Sequence, residues 1–444
     1  MLTLNEWSQR LAKGDVSARS LVDQSLARIA DPQGEGARAF ISVSSESARA
    51  QADEVDRRRA AGQSLPAFAG IPLGIKDLFD VAGEVTRAGS QVLASRAPAA
   101  RDAPVIARLR AAGFIFIGRN TMTEFAYSGV GLNPHYGTPL SSYDRKTRRI
   151  PGGSTSGGGV AVADGMAAAS LGTDTGGSCR IPAAFNGIVG FKPTASRVPR
   201  EGVFPLSQTL DSVGPLARST ACCATLDAIL RGVEPQPLPV TPLNSVRLLL
   251  PATLVLDDMD ASVADAFERA IETLARAGVT IVRQPLEELQ RIPQINAGGG
   301  LAAAEAYALH RTLLEQHGDQ YDPRVSMRIL KGRDLHVDDL RQARAAVIES
   351  VNARTRSFDA LVMPTVPIIP PPLAAFELDA DYIRLNALVL RNPSLANFLD
   401  RCSISLPIHQ PGTAPVGLML IGQHAEDERL LGVADAIERA LKLR

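Results

Sequence analysis

The chain has 444 residues, 47 Lys+Arg against 47 Asp+Glu, 45% hydrophobic residues and 21% charged ones. Zero net charge gives no long-range electrostatic basis for binding nucleic acid or a membrane surface. No run of about 18 apolar residues is present to span a bilayer.

The opening MLTLNEWSQRLAKGD lacks the apolar stretch of a secretory leader. Residues 17–29 place Leu21, Val22, Ser25, Leu26 and Ile29 on one helical face, with Ser17 as N-cap. AGIPLGIKDLFDVAG predicts a strand over 71–76 running into a turn. DAPVIARLRAAG predicts a helix closed by Gly113, and FIFIG a buried strand over 114–117. The same helix-then-strand step recurs farther on. There Val263, Phe267, Ile271 and Leu274 form the helix stripe, Gly278 stops it and 279–282 is a strand. Further strands are predicted at 360–363 and in PVGLMLIG, with Pro415 at its start, and a last amphipathic helix in DERLLGVADAIERAL. TVPIIPPPLAAF and the basic cluster Arg145, Lys146, Arg148 and Arg149 are expected to be surface loops. The pattern predicts one large α/β domain over 1–444. It has an N-terminal helical segment to about residue 65, a core over about 66–220 and a helical middle over about 300–356.

Two loops combine glycine with hydroxyl residues, IPGGSTSGGGVAVADG (150–165) and GTDTGGSCRIPAAFNG (172–187). The small, apolar stretch between them suits a buried helix and a short strand, which would bring Ser154 and Ser178, 24 residues apart, to one end of a sheet. No G-x-S-x-G elbow, S-x-x-K or nearby histidine supplies a base. Lys76 ends an apolar run, where burial would lower its pKa and make it a base, or where it would pair with Asp77 or another carboxylate. The amides from Thr175 to Ser178 suit an oxyanion hole, with an anion-binding loop or a plain turn as the alternatives. Neither phosphate-binding glycine motif is present. Cys179, Cys222, Cys223 and Cys402 lack zinc spacing and suit free thiols in a reducing cytosol. No metal or cofactor is expected.

GIPLGIKD, PGGSTSGG, GTDTGGSCRIPA, GFKPT, LDSVGPLARS, FDALVMPTVP and PVGLMLIG occur in this order along nearly the whole chain. Together they resemble the amidase signature family. The resemblance implies a single α/β amidase-signature domain, a central mixed twisted β-sheet covered by helices on both faces. It implies a Ser–cis-Ser–Lys triad with Ser178 as nucleophile, Ser154 as bridging serine and Lys76 as base. The substrate would be a small amide, hydrolysed through an acyl-enzyme, with Thr175, Gly176 and Gly177 beside the oxyanion. Thr155 would stand beside the triad and Met122 would line the acyl pocket. Asp174 and Arg180 would orient the loop as a charged pair, with substrate-carboxylate binding by Arg180 as the alternative. Cys179 would be a packing residue. The resemblance further implies a homodimer, and the free thiols a cytoplasmic one. The alternatives are the ammonia-releasing subunit of a tRNA-dependent amidotransferase, or a hydrolase of urea-derived amides such as biuret or allophanate. Asp400 and Cys402 stand where many members carry Gly and Pro, which resembles members that act on urea-derived compounds.

Overall fold

Ser17 opens the first predicted helix as expected: its side chain accepts from Ser20 N–H at 3.0 Å, and the helix Ala18–Ala30 buries Leu21, Val22, Leu26 and Ile29. The structure is a computed structural model that describes residues 2–442. Its strands are β1 (Phe40–Val43), β2 (Pro72–Lys76), β3 (Ile115–Asn120), β4 (Ala169–Asp174), β5 (Val189–Lys192) and β6 (Ser212–Ala217). They continue as β7 (Arg247–Pro251), β8 (Thr280–Gln284), β9 (Ala360–Pro364), β10 (Ser403–Pro407) and β11 (Gly417–Ile421). All eleven form one sheet in the order β1-β3-β2-β4-β6-β5-β10-β11-β9-β7-β8. The sheet is mixed: β2 runs parallel to β3 and β4, and β7 to β8 and β9, while the other pairs are antiparallel.

Side chains alternate across a strand, and the two faces are both buried. Leu248, Leu250, Val362, Leu418 and Leu420 join the main hydrophobic cluster. Their alternates Leu249, Leu361, Met363, Met419 and Ile421 join a second one. Strands buried on both faces read as continuous apolar runs, which is why β2, β9 and β11 are visible in the sequence. β3 continues past the predicted 117 because Arg119 and Asn120 are buried and partnered, Arg119 by Asp77 and the Phe79 carbonyl. β5 and β6 escape the pattern because Gly190, Lys192, Gly214 and Pro215 read as breakers. Pro415 stands just before β11, outside the ladder.

Two loop expectations are corrected. The proline-rich segment after β9 is largely interior: Thr365, Val366, Ile368 and Phe376 are buried. Proline brings no N–H to satisfy, and the neighbouring donors are met locally, Ile150 N–H by the Pro371 carbonyl and Leu373 N–H by the Arg148 carbonyl, both at 2.9 Å. The basic cluster is only half solvated. Lys146 and Arg148 are exposed, whereas Arg145 pairs with Asp164, and Arg149 bonds Asp144 at 3.0 Å and the Pro370 carbonyl at 2.8 Å. The helical middle is present as Gly300–His317, Pro323–Leu330 and Val337–Thr355.

Candidate active site

The two glycine-rich loops meet at one end of β4. The helix Ser156–Ala163 follows the first loop, β4 leads into the second, and the Thr155 N–H donates to the Ser178 carbonyl at 3.2 Å. The Gly153–Ser154 peptide is cis. Lys76, at the end of the neighbouring β2, places Nζ 2.8 Å from Ser154 Oγ and 2.9 Å from Thr173 Oγ1. Among the described residues it meets no carboxylate. Asp77, the alternative partner, turns away to Arg119 and to the Gly89 N–H at 3.1 Å. Burial therefore dominates the Lys76 ammonium and lowers its pKa from the ordinary 10.5 to about 8, against the opposing pull of Cys179, Asp174 and Asp211. Burial also pushes the Cys179 thiol up, so it carries no charge at neutral pH.

Asp174 is the organiser of the second loop. Its carboxylate accepts from the Gly177 N–H at 2.8 Å, the Cys179 N–H at 3.0 Å and Asn397 Nδ2 at 2.9 Å. Arg180 closes a two-pronged pair on it at 2.8 and 3.0 Å. Burial alone would raise the Asp174 carboxyl; Arg180, Lys192 and Asn397 reverse that and hold it below the usual carboxylate range. The remaining Arg180 donors reach the Pro393 carbonyl at 2.8 Å and Asn397 Oδ1 at 2.7 Å. Both Asp174 and Arg180 are fully buried.

A cavity of about 1200 Å³ opens over this loop. Ser178, Gly176 and Thr175 line it. Ser178 is 3% exposed, and its hydroxyl makes no hydrogen bond to another described residue. Thr175 is fixed from behind by Asp211 at 2.6 Å.

The structure sorts the remaining predicted residues. Gly177 does not turn its amide to the cavity, because Asp174 takes it. Its φ of +127° and the 2.5 Å approach of Pro393 Cβ to an added Cβ explain the glycine there. Met122 is corrected: it is fully buried in the main core, against Gly89, and does not line the cavity. Thr155 is likewise interior, 3.5 Å from the Thr173 carbonyl, and Asp174 and Arg180 stand behind the loop rather than in the cavity. Sequence reasoning missed Thr173, the second contact of Lys76, although a lone threonine near the end of a buried strand was a usable signal. It also missed Asn397, which lies 223 residues from Asp174 and had no local signal at all.

No group of three or more His, Cys, Asp or Glu able to hold a metal occurs among the described residues. No helix among them is long and apolar enough to cross a membrane.

The likeness to known proteins runs the length of the chain. The Amidase family model matches residues 20–431. The 2-amino-5-chloromuconic acid deaminase of Comamonas testosteroni is 36% identical, over 98% of this chain and 96% of its own. A glutamyl-tRNA(Gln) amidotransferase subunit of Roseiflexus sp. (strain RS-1) is 32% identical, over 99% of this chain and 96% of its own. A crystal structure of an amidase superposes with a TM-score of 0.88 at 32% identity, covering 99% of both chains.

Proposed function

This chain belongs to the amidase family of hydrolases, and from that premise we propose that it cleaves the C–N bond of a carboxylic amide through an acyl-enzyme on Ser178. The observation that carries the reading is Lys76: a buried amine, without a carboxylate partner, in contact with Ser154. Neutral Lys76 takes the proton of Ser154, and Ser154 takes that of Ser178. Ser178 Oγ then bonds to the amide carbon, and the carbonyl electron pair moves onto oxygen. The N–H groups of Thr175, Gly176 and Ser178 face that oxyanion. The proton returns through Ser154 to the leaving nitrogen, the C–N bond breaks, and ammonia or an amine departs. Water, deprotonated along the same path, releases the carboxylate and frees Ser178. Asp174 and Arg180 hold the loop in shape and touch no reacting atom.

Ammonia release from a panel of aliphatic, aryl and urea-derived amides tests this. Ser178→Ala is expected to lower turnover about 10³-fold or more. A variant with wild-type turnover would remove Ser178 from the mechanism. A second reading, the ammonia-releasing subunit of an amidotransferase, draws on the 32% identity to the Roseiflexus relative. It predicts copurifying partner subunits and weak activity alone. The cytoplasmic homodimer belongs to the proposal as well. Four free, buried cysteines suit a reducing compartment, and light scattering reads the mass.

A further inference from the structure

The cavity over Ser178 has charged walls, and almost every charge on them is already answered. Arg149 is bound to Asp144 at 3.0 Å and Arg384 to Asp381 at 3.1 Å. Arg391 donates to the Asp257 carbonyl at 2.6 Å and lies 3.7 Å from Asp258. Asp260 accepts from the Ile369 N–H at 2.9 Å. Arg328 is different. Among the described residues its guanidinium meets no carboxylate and makes no hydrogen bond; it lies 4.7 Å over the ring of Tyr127. Lys331, three residues on, also lines the cavity and forms no ion pair with a described residue. The cavity wall formed by the end of the helix Pro323–Leu330 and by Lys331, its C-cap, thus carries positive charge that no described carboxylate answers.

That cation is held in place. Glu124 accepts from the Asp322 N–H at 2.7 Å, and Asp322 caps the helix by accepting from the Arg324 N–H at 2.9 Å. Glu124 precedes Tyr127 by three residues, so the stacked ring and the helix bearing Arg328 are tied at one carboxylate. The Tyr127 hydroxyl makes no hydrogen bond to a described residue either. A ring-stacked guanidinium keeps its edge donors free in a fixed fork that matches a carboxylate.

We infer that the substrate is an amide that also carries a carboxylate, and that Arg328 binds this carboxylate with Tyr127 and Lys331 beside it while the amide lies over Ser178. The inference rests on the assignment of Ser178 as nucleophile, and names the substrate class for that site. Arg328 then acts as a specificity-determining residue.

The test compares half-amides of dicarboxylic acids, with one to four methylenes, against alkanamides of equal length. Wild type is expected to favour the best half-amide by about 100-fold in kcat/KM. Arg328→Met should bring that ratio near one, chiefly through KM, and Arg328→Lys should leave it between the two because it keeps charge but not the fork. A ratio near one in wild type, or an unchanged ratio in Arg328→Met, overturns the inference. Calorimetric titration of Ser178→Ala with the same half-amides separates this from failure of the hydrolytic reading. Binding that weakens about 100-fold on adding Arg328→Met supports the carboxylate site even if no amide is turned over. Absent binding, or binding indifferent to Arg328, overturns it.

Discussion

Lys76 and Arg180 are both fully buried cations beside the end of β4, and they are treated oppositely. Successive residues of a strand face opposite ways. Thr173 turns to Lys76 and offers a neutral hydroxyl at 2.9 Å; Asp174 turns to Arg180 and offers a carboxylate at 2.8 Å. On one face the charge is left uncompensated, so burial makes the neutral amine accessible near neutral pH. On the other face it is paired, and the pair fixes the loop. The difference of one residue in register separates a group able to move protons from a group able only to hold shape.

The sharpest way to break this comparison is to remove the proposed base. Lys76→Met keeps the apolar stem and is expected to lower kcat about 10³- to 10⁴-fold. The wild-type profile carries the same information. With a pKa of about 8, the neutral form gains as pH rises, so kcat/KM should climb from about pH 6 and level above about 8. Stability should move with it. Between about 8 and 10.5 the unfolded lysine holds a proton that the folded one has lost, so stability rises with pH across that window. A rate profile flat from about pH 6 to 9 would assign the base elsewhere.

On the other face the expected loss is in stability. Arg180→Met strands the buried Asp174 charge, at a cost of about 3–5 kcal/mol, read by urea unfolding at about pH 7. The pH dependence has the same sense as that of Lys76 but lies in the acid range. The Asp174 carboxyl lies below the usual range, so its contribution is present above the ordinary carboxylate pKa and is lost as pH falls through the lowered value. Arg180→Met should therefore abolish the part of the acid dependence that Asp174 supplies. Equal stability of the two proteins at neutral pH would mean the pair is not what holds the loop.

The same contrast explains what the sequence disclosed. Lys76, Ser154 and Ser178 sit in short glycine-rich or apolar contexts where a polar residue is conspicuous, and β2 and β4 bring them together without help from distant chain. Their helix, strand and loop order was legible for that reason. The cavity was not. Its walls combine Tyr127, the helix bearing Arg328 and the buried proline-rich segment. Contacts between residues far apart in the chain join them, such as Gly129 N–H to Asn386 across 257 residues and Asp322 N–H to Glu124 across 198. Met122 shows the limit in miniature. Its motif placed it near the site, but the turn through Gly89 and Asn133 sends it into the core, where Asn133 Nδ2 donates to the Met122 carbonyl at 2.7 Å.

The smallest expected effect falls on Cys179, which stands between the residue facing the cavity and the residue facing the clamp. A cysteine beside a candidate nucleophile invites the reading that it is the reactive group. Its position argues otherwise. The side chain is fully buried, its sulfur lies 3.5 Å from the Gly214 carbonyl, and burial pushes the thiol up, so almost no thiolate exists at about pH 8. The backbone N–H, donated to Asp174 at 3.0 Å, is the part of Cys179 that shapes the loop, and it survives any side-chain change. Cys179→Ala should therefore keep kcat within about threefold and lose about 1 kcal/mol of stability. Iodoacetamide at about pH 8 should leave Cys179 unlabelled in the folded enzyme by mass spectrometry, and label it once urea has opened the chain. Rapid labelling of the native protein with parallel loss of activity would show the loop opening as a unit, and the clamp on Asp174 would then be weaker than its geometry requires.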